Sequence, residues 1–130
     1  MKAIYIVALG AFLSGCAGGG SSPAKDAHSP ALPGAKQLSG SEISTQFVGR
    51  PHQSVTSGGQ TFTEILTADG GAKINIAGNP EATGDWQITG DVICVTYSAY
   101  GKECNIVKAN DQWFWLIDKD KGTTNNRFPK

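Results

Sequence analysis

From residue 52 onward the chain is a succession of short apolar segments separated by residues that favour turns. The segments are HQSVT, TFTEILT, AKINIA, GDWQI, VICVTY, ECNIV and QWFWLID, and the separators include SGGQ, ADGG, TGD and KAND. Val, Ile, Thr and aromatic residues in the segments, with Gly, Asn and Asp between them, are typical of strands joined by hairpin turns. Because a short meander has two open edges, we expect it to curl into a small antiparallel barrel of about seven or eight strands.

One short helix is predicted before the strands, in LSGSEISTQFVGR. Ser39 and Glu42 have the spacing of a capping box, and Ile43 and Phe47 lie one turn apart on the same face. A glycine and a proline follow at once and end the helix. The predicted fold of residues 38–130 is therefore mainly β, with one N-terminal helix.

The N-terminus has the features of an export signal. Lys2 supplies the positive start, and the run from Ala3 to Leu13 carries no charge. A run of 11 residues is too short to span a membrane, because a spanning helix needs about 20 residues. Residues 1–15 are therefore predicted to be a signal peptide.

The apolar run ends in LSGC, which resembles a bacterial lipobox. The resemblance implies that Leu13, Ser14 and Gly15 are the signal-peptidase recognition site. It also implies that Cys16 becomes a diacylglyceryl cysteine, carries palmitate and is the first residue of the mature lipoprotein. Ala17, where an Asp would retain the protein at the inner membrane, implies export to the outer membrane. The periplasmic and the cell-surface face both remain open.

Residues 16–37 are predicted to be a flexible tether. The segment is rich in Gly, Ser, Ala and Pro and has no apolar periodicity. A coil of this length reaches roughly 25 Å, enough to hold a folded domain clear of lipid headgroups. His28 lies in this segment without neighbouring metal ligands and is expected to be solvated.

The cysteines are expected to divide into one lipidated residue and one disulfide. The chain has three cysteines, and an exported protein is in an oxidising compartment. With Cys16 lipidated, Cys94 and Cys104 remain, and a hairpin can place them opposite each other. The disulfide is expected to stabilise the domain by about 2–3 kcal/mol.

Hairpin register predicts which residues share the core face. If TGD is a three-residue turn, Trp86 lies opposite Cys94, and if the last hairpin turns within KAND, Ile106 lies opposite Trp115. The expected core face then consists of Trp86, Ile88, Val92, Cys94, Cys104, Ile106, Trp115 and Ile117. A register error of one residue would move each set to the other face.

The sequence contains no credible catalytic set. The formal net charge is zero, so there is no electrostatic support for binding nucleic acid. His52, the only histidine of the domain, is expected at a surface or turn. The spacing of Glu42, Glu64, Glu81 and Asp85 does not force a shared acid–base site. We therefore expect a non-enzyme without a cofactor or a metal.

A candidate interaction surface is predicted from four residues. Trp113, placed opposite Lys108 by the expected register, is the aromatic residue most suited to exposure. Arg50 and His52 add polar groups before the first strand. Trp115 is instead assigned to the core.

The domain resembles a group of small exported proteobacterial β domains of unknown function. Their pattern is D-G, then G-x-W, then an aliphatic residue followed by Cys, then a second Cys. The matching residues here are Asp69, Gly70, Gly84, Trp86, Ile93, Cys94 and Cys104. The chain is more distantly similar to outer-membrane lipoproteins of the bacterial protease-inhibitor barrel family. Its close cysteine spacing departs from that family, and no inhibitory residue carries over.

Three functions follow as expectations. The first is an outer-membrane-anchored lipoprotein, held by membrane lipid through Cys16, with a structural or protein-interaction role and an envelope protein or a protease as partner. The first alternative is a protease inhibitor of the lipoprotein β-barrel type. The second alternative is a small-ligand-binding barrel, for which a domain of about 93 residues leaves little room, because small barrels are filled by their own side chains.

Overall fold

The computed structural model describes residues 26–130 as nine strands and one helix. In chain order they are β1 (Lys36–Gln37), α1 (Gly40–Gln46), β2 (Pro51–Val55), β3 (Thr61–Leu66), β4 (Gly71–Ile76), β5 (Ala82–Thr89), β6 (Val92–Tyr97), β7 (Gly101–Ala109), β8 (Trp113–Asp118) and β9 (Thr124–Pro129). Strands β2 to β9 pair antiparallel, each with the next along the chain. They form a nearly closed eight-stranded barrel. The predicted antiparallel barrel with one short helix is confirmed.

Side chains connect the two edge strands, β2 and β9. Ser54 Oγ donates to the Arg127 carbonyl at 2.9 Å, and Asn126 Nδ2 donates to the Val55 carbonyl at 2.9 Å. These bonds satisfy backbone groups at edges that would otherwise be open.

The helix forms as predicted. Ser39 Oγ accepts from the Glu42 backbone N–H at 3.2 Å, and Glu42 Oε1 accepts from the Ser39 N–H at 2.8 Å. These two bonds complete the capping box. Ile43 and Phe47 are fully buried and cover one end of the barrel.

The start of α1 lies against the β5–β6 turn. A Cβ atom at Gly40 would lie 2.1 Å from the Gly90 carbonyl oxygen, so only glycine fits there. The Gly40 N–H donates to Asp91 Oδ1 at 2.9 Å. Helix α1 therefore closes the barrel end that carries this turn.

The register of two hairpins differs from the prediction. The β5–β6 hairpin turns on two residues, Gly90 (φ 63°) and Asp91, so Trp86 lies opposite Val95 instead of Cys94. A two-residue turn is favoured here because glycine adopts positive φ without strain. The last hairpin turns later than expected, and Ile106 lies opposite Ile117.

The inward and outward faces of β6, β7 and β8 are the reverse of those predicted. The inward residues are Ile93, Val95, Val107, Ala109, Phe114 and Leu116. Val92, Cys94, Cys104, Ile106, Trp115 and Ile117 therefore lie on the outward face, whereas Trp86 and Ile88 face inward as expected. The prediction failed because segments such as VICV and WFWL are apolar on both faces, so alternation does not decide the direction.

The predicted disulfide between Cys94 and Cys104 is present. The two residues lie directly opposite each other in β6 and β7, as the sequence indicated. Both lie on the outward face of the sheet, so the disulfide joins two strands outside the core.

Part of the segment assigned to the tether packs on the barrel. Ala27 is 1% exposed, and Asp26 Oδ2 lies 4.0 Å from Arg127 Nη1 on the outward face of β9. Strand β1 pairs with β7 along Lys108 and Ala109, where β7 has separated from β6. These contacts differ from the expectation of a free linker.

The D-G and G-x-W motifs act together in the fold. Asp69 Oδ1 accepts from the Gly71 N–H at 3.0 Å and tightens the β3–β4 turn. Trp86 Nε1 donates to the Thr67 carbonyl at 2.7 Å, and the Trp86 N–H donates to the Gly70 carbonyl at 3.0 Å. The pattern that carries the family resemblance therefore fixes a turn to its neighbouring strand.

Candidate ligand-binding cavity

The barrel contains a cavity of about 530 Å³ at the end opposite α1. It opens beside the turns that follow β2 and β6. Its apolar lining residues are Phe62, Ile74, Ile76, Val95, Leu116 and Phe128. The volume lies within the range of about 300–1,000 Å³ that is usual for small-molecule sites.

Side-chain size distinguishes the two halves of the interior. At the α1 end, the Phe47 ring lies 5.2 Å from the Phe114 ring and 5.7 Å from the Phe128 ring, and these rings occupy the interior. At the open end, Gly84 faces inward without a side chain. A Cβ atom there would lie 2.9 Å from Tyr97 Cδ1, so the missing side chain leaves room for the tyrosine ring.

Strand β3 brings a buried carboxyl group to the cavity. Glu64 is 8% exposed and lies between Phe62 and Leu66 on the inward face. Its Oε2 accepts a 2.6 Å hydrogen bond from the Tyr97 hydroxyl, which reaches it from β6. Burial raises the pKa of Glu64 to about 7, the bond from Tyr97 opposes that rise, and the charge of Glu103 adds to it. Near neutral pH the carboxyl is therefore divided between its neutral and ionised forms.

Two tyrosines form an aromatic corner between the interior and the mouth. Burial and the nearby charge of Glu64 raise the pKa of Tyr97, so its hydroxyl remains a proton donor. The Tyr100 ring lies 6.2 Å from the Tyr97 ring in an edge-to-face arrangement. Tyr100 is 49% exposed, which places an aromatic surface at the cavity entrance.

A chain of hydrogen bonds holds a second carboxylate at the mouth. Glu103 Oε2 accepts from Asn105 Nδ2 at 2.9 Å, and Asn105 Oδ1 accepts from Asn125 Nδ2 at 2.7 Å. The Asn125 carbonyl lies 2.8 Å from His28 Nδ1, so the N-terminal segment also reaches the cavity rim. The hydrogen bonds fix the orientation of Glu103 while its side chain remains exposed.

The other acidic residues considered as acid–base candidates have separate positions. Glu42 caps α1, Glu81 Oε2 accepts from Asn75 Nδ2 at 3.2 Å, and Asp85 is exposed on β5. Of the four acidic residues considered in the sequence, only Glu64 lines the cavity.

The prediction that His52 lies at the surface is wrong. His52 is 3% exposed, its ring stacks on Phe47 with 3.9 Å between ring centroids, and its Nε2 lies 2.7 Å from the Phe47 carbonyl oxygen. Burial lowers the pKa of His52, the bond to Phe47 opposes this, and the charge of Arg50 adds to it. The reason for the error is that β2 starts directly below α1, so its second residue faces the interior.

The remaining residues of the candidate interaction surface are divided between two regions. Trp113 is half-buried, with the Arg127 guanidinium carbon 3.6 Å from its ring centroid. Lys108 lies opposite Trp115 and not opposite Trp113, because the hairpin turns later than predicted. Arg50 is exposed before β2. The structure does not bring these four residues together as one exposed surface.

Trp115 is buried, as predicted, but outside the barrel core. It is 1% exposed on the outward face of β8, opposite Arg127 of β9. The lipobox residues Leu13, Ser14, Gly15 and Cys16 lie outside the described residues.

The buried Glu64 and its partner Tyr97 are the site residues that the sequence did not single out. A signal was present, because Glu64 occupies the same strand face as two large apolar residues in TFTEILT. A charged residue at an inward position of a strand is unusual and indicates a specific environment.

Within residues 26–130, no helix is long and apolar enough to cross a membrane. The same part of the chain contains no group of three His, Cys, Asp or Glu side chains placed to hold a metal ion. Comparison with protein-family models, with curated proteins and with solved structures gave no match to the chain.

Proposed function

We propose that the protein is a lipid-anchored outer-membrane lipoprotein whose barrel binds a small molecule in its open cavity. The observation that carries this proposal is the cavity of about 530 Å³, open at one end and closed by α1 at the other. An eight-stranded barrel is just wide enough for one small ligand when its own side chains leave the space.

The lining has the chemistry of a small-molecule site. Apolar side chains such as Val95, Leu116 and Phe128 would exclude water from a ligand, and Glu64 and Tyr97 supply polar groups in fixed positions. Ligand sites commonly combine a mainly apolar surface with a few polar groups that set orientation.

We propose binding without a chemical step. The Tyr97 hydroxyl donates to Glu64, and the Asn105 amide donates to Glu103, so two polar pairs of the cavity hold each other in place. Fixed pairs of this kind suit recognition of a ligand. A protein-interaction role and protease inhibition remain predictions of the sequence, and the burial of His52 removes one residue from the surface expected to serve them.

Ligand binding is tested by isothermal titration calorimetry with the lipidated protein in phospholipid nanodiscs, with empty nanodiscs as the blank. The probes are small aromatic compounds that fit within 530 Å³. Ile76→Trp, which places a larger side chain in the cavity, is expected to weaken binding at least about tenfold while far-UV circular dichroism stays unchanged. Lys73→Trp, an exposed position on the outward face of β4, is the matched control. Equal binding by the wild type and the folded Ile76→Trp protein would overturn the proposal.

The lipid anchor is tested separately. Cells that express the protein are labelled with palmitate, and the Cys16→Ser variant is expected to lose the label. The Cys94–Cys104 disulfide is expected to form in both proteins, which shows that the variant is exported and folded. Retention of the label by Cys16→Ser would contradict lipidation at this residue.

A further inference from the structure

We infer that the cavity takes an organic cation, namely an amine or ammonium group attached to an apolar body. This inference rests on the proposed ligand-binding function and adds the chemical class of the ligand. The charge, the aromatic surface and the depth of the cavity each support it.

The charged groups of the lining favour a cation. Glu64 lies inside the cavity and Glu103 at its mouth, whereas the lining contains no Lys or Arg among the described residues. His28, at the rim, is the one basic side chain there, and its Nδ1 contacts the Asn125 carbonyl. At a pH above 7, where the Glu64 carboxyl is mainly ionised, a carboxylate ligand would meet two side chains of its own charge, but an ammonium would meet two of opposite charge.

The aromatic groups lie where an ammonium would enter. Tyr97, whose hydroxyl contacts Glu64, meets Tyr100 edge to face, and Tyr100 is half-exposed at the entrance. A cation within about 6 Å of an aromatic ring is attracted by its negative face. Carboxylates beside tyrosine rings therefore offer both a charge partner and an aromatic surface.

The depth of the cavity favours an apolar body behind the charged group. Val95 lies deeper than Tyr97 along β6, Phe62 lies nearer the mouth than Glu64 along β3, and Leu116 and Phe128 complete the apolar lining. A ligand that places its amine near Glu64 or Glu103 can bury its hydrocarbon part against these side chains. Each buried methylene contributes about 0.8 kcal/mol.

The state of the Glu64 carboxyl links this binding to pH. The titratable groups that face it are the Tyr97 hydroxyl from β6, Glu103 from β7 and His52, its cross-strand neighbour in β2. Because burial raises the pKa of Glu64 to about 7, a cation that binds beside it favours the ionised form. Amine affinity is therefore expected to rise as the pH increases through neutrality.

The test compares three probes of similar size and different charge, namely 2-phenylethylamine, 2-phenylethanol and 3-phenylpropionate. Calorimetry uses the lipidated protein in nanodiscs, with empty nanodiscs as the blank. At a pH above 7, the amine is expected to bind at least about tenfold more tightly than the alcohol, and the carboxylate more weakly than both.

Matched variants locate the effect. Glu103 is exposed, so the Glu103→Gln substitution should leave the fold intact. The variant is expected to reduce the preference for the amine about threefold or more. Asp85→Asn removes the same charge from the outward face of β5 and is expected to leave the preference unchanged.

The outcomes separate the two proposals. If the alcohol or the carboxylate binds as tightly as the amine, the inference about charge is wrong, but ligand binding in the cavity stands. If none of the three probes binds, both the cation inference and the proposed function are overturned.

Discussion

Replacing Glu64 by Gln should change how stability depends on pH. The side chain is 8% exposed, and burial raises its pKa from 4.5 to about 7. A group whose pKa is raised on folding holds its proton more tightly in the folded state. Its contribution to stability is therefore fully present below pH 4.5 and is lost as the pH rises through 7.

The size of the effect follows from the two pKa values. One pKa unit corresponds to about 1.4 kcal/mol, so the shift of Glu64 corresponds to about 3 kcal/mol. A glutamine has nearly the same shape, can accept the Tyr97 hydrogen bond through its carbonyl oxygen and never ionises. The Glu64→Gln variant is therefore expected to match the wild type at low pH and to exceed its free energy of unfolding by about 3 kcal/mol at high pH.

Urea denaturation followed by tryptophan fluorescence measures this difference between about pH 4.5 and pH 8. His52 contributes in the opposite direction, because burial lowers its pKa and stability is lost as the pH falls below 6.5. That contribution is present in both proteins and cancels in the difference. Asp85→Asn serves as the control and is expected to give a difference that does not vary with pH. A flat difference for Glu64→Gln would refute the burial of this carboxyl group in the cavity.

Three further substitutions test the fold. Gly84→Ala is expected to destabilise the protein by about 1–3 kcal/mol, because its Cβ would lie 2.0 Å from the Thr96 carbonyl oxygen. The urea midpoint measures this change. Gly58→Ala, whose Cβ would make only an ordinary contact of 3.8 Å with Thr56 Oγ1, is the control. An unchanged midpoint for Gly84→Ala would contradict the close approach. Cys94→Ser is expected to lower the free energy of unfolding by about 2–3 kcal/mol. Because the disulfide lies outside the core, the barrel should stay folded, and loss of the sheet signal in circular dichroism would be evidence against this. Trp86→Phe is expected to lower the free energy of unfolding by about 1 kcal/mol, because the indole hydrogen bond to the Thr67 carbonyl is lost. An unchanged Tm in thermal denaturation would show that this bond does not stabilise the fold.

Local signals made the helix and the turns predictable from the sequence. The capping box of Ser39 and Glu42, the apolar pair of Ile43 and Phe47 and the glycine after them all lie within about three turns of chain. The antiparallel meander was predictable for the same reason, because each hairpin is formed by neighbouring segments. The pairing of Cys94 with Cys104 also belongs to one hairpin.

The faces of the later strands could not be predicted because distant residues decide them. Trp115 is apolar and buried, yet it faces away from the core, on the face where Asp26 approaches Arg127. A segment composed like a linker gives no sign that it will pack there. The two-residue turn at Gly90 and Asp91 shifts the β5–β6 register by one residue, which changes the partner in β6 of every β5 residue.

The cavity was hidden from the sequence because it is formed by residues that meet only across the barrel. Glu64 and Tyr97 are on β3 and β6, and the Tyr97 ring can lie beside β5 because Gly84 has no side chain. The composition of the chain gives no sign that Glu64 pairs with Tyr97 or that Gly84 lies beside the Tyr97 ring. The inward position of Glu64 was the one part that strand alternation could have revealed.

Methyl-detected nuclear magnetic resonance, with 2-phenylethylamine added to the lipidated protein in nanodiscs, tests the central claim most directly. If the ligand enters the cavity, the methyl signals of Val95 and Leu116 will shift and show contacts to the phenyl ring, because both side chains line the interior. The methyl signals of Ile106 and Ile117, on the outward face, will not move. Shifts confined to the outward face, or no shifts at saturating probe, would contradict a ligand-binding barrel.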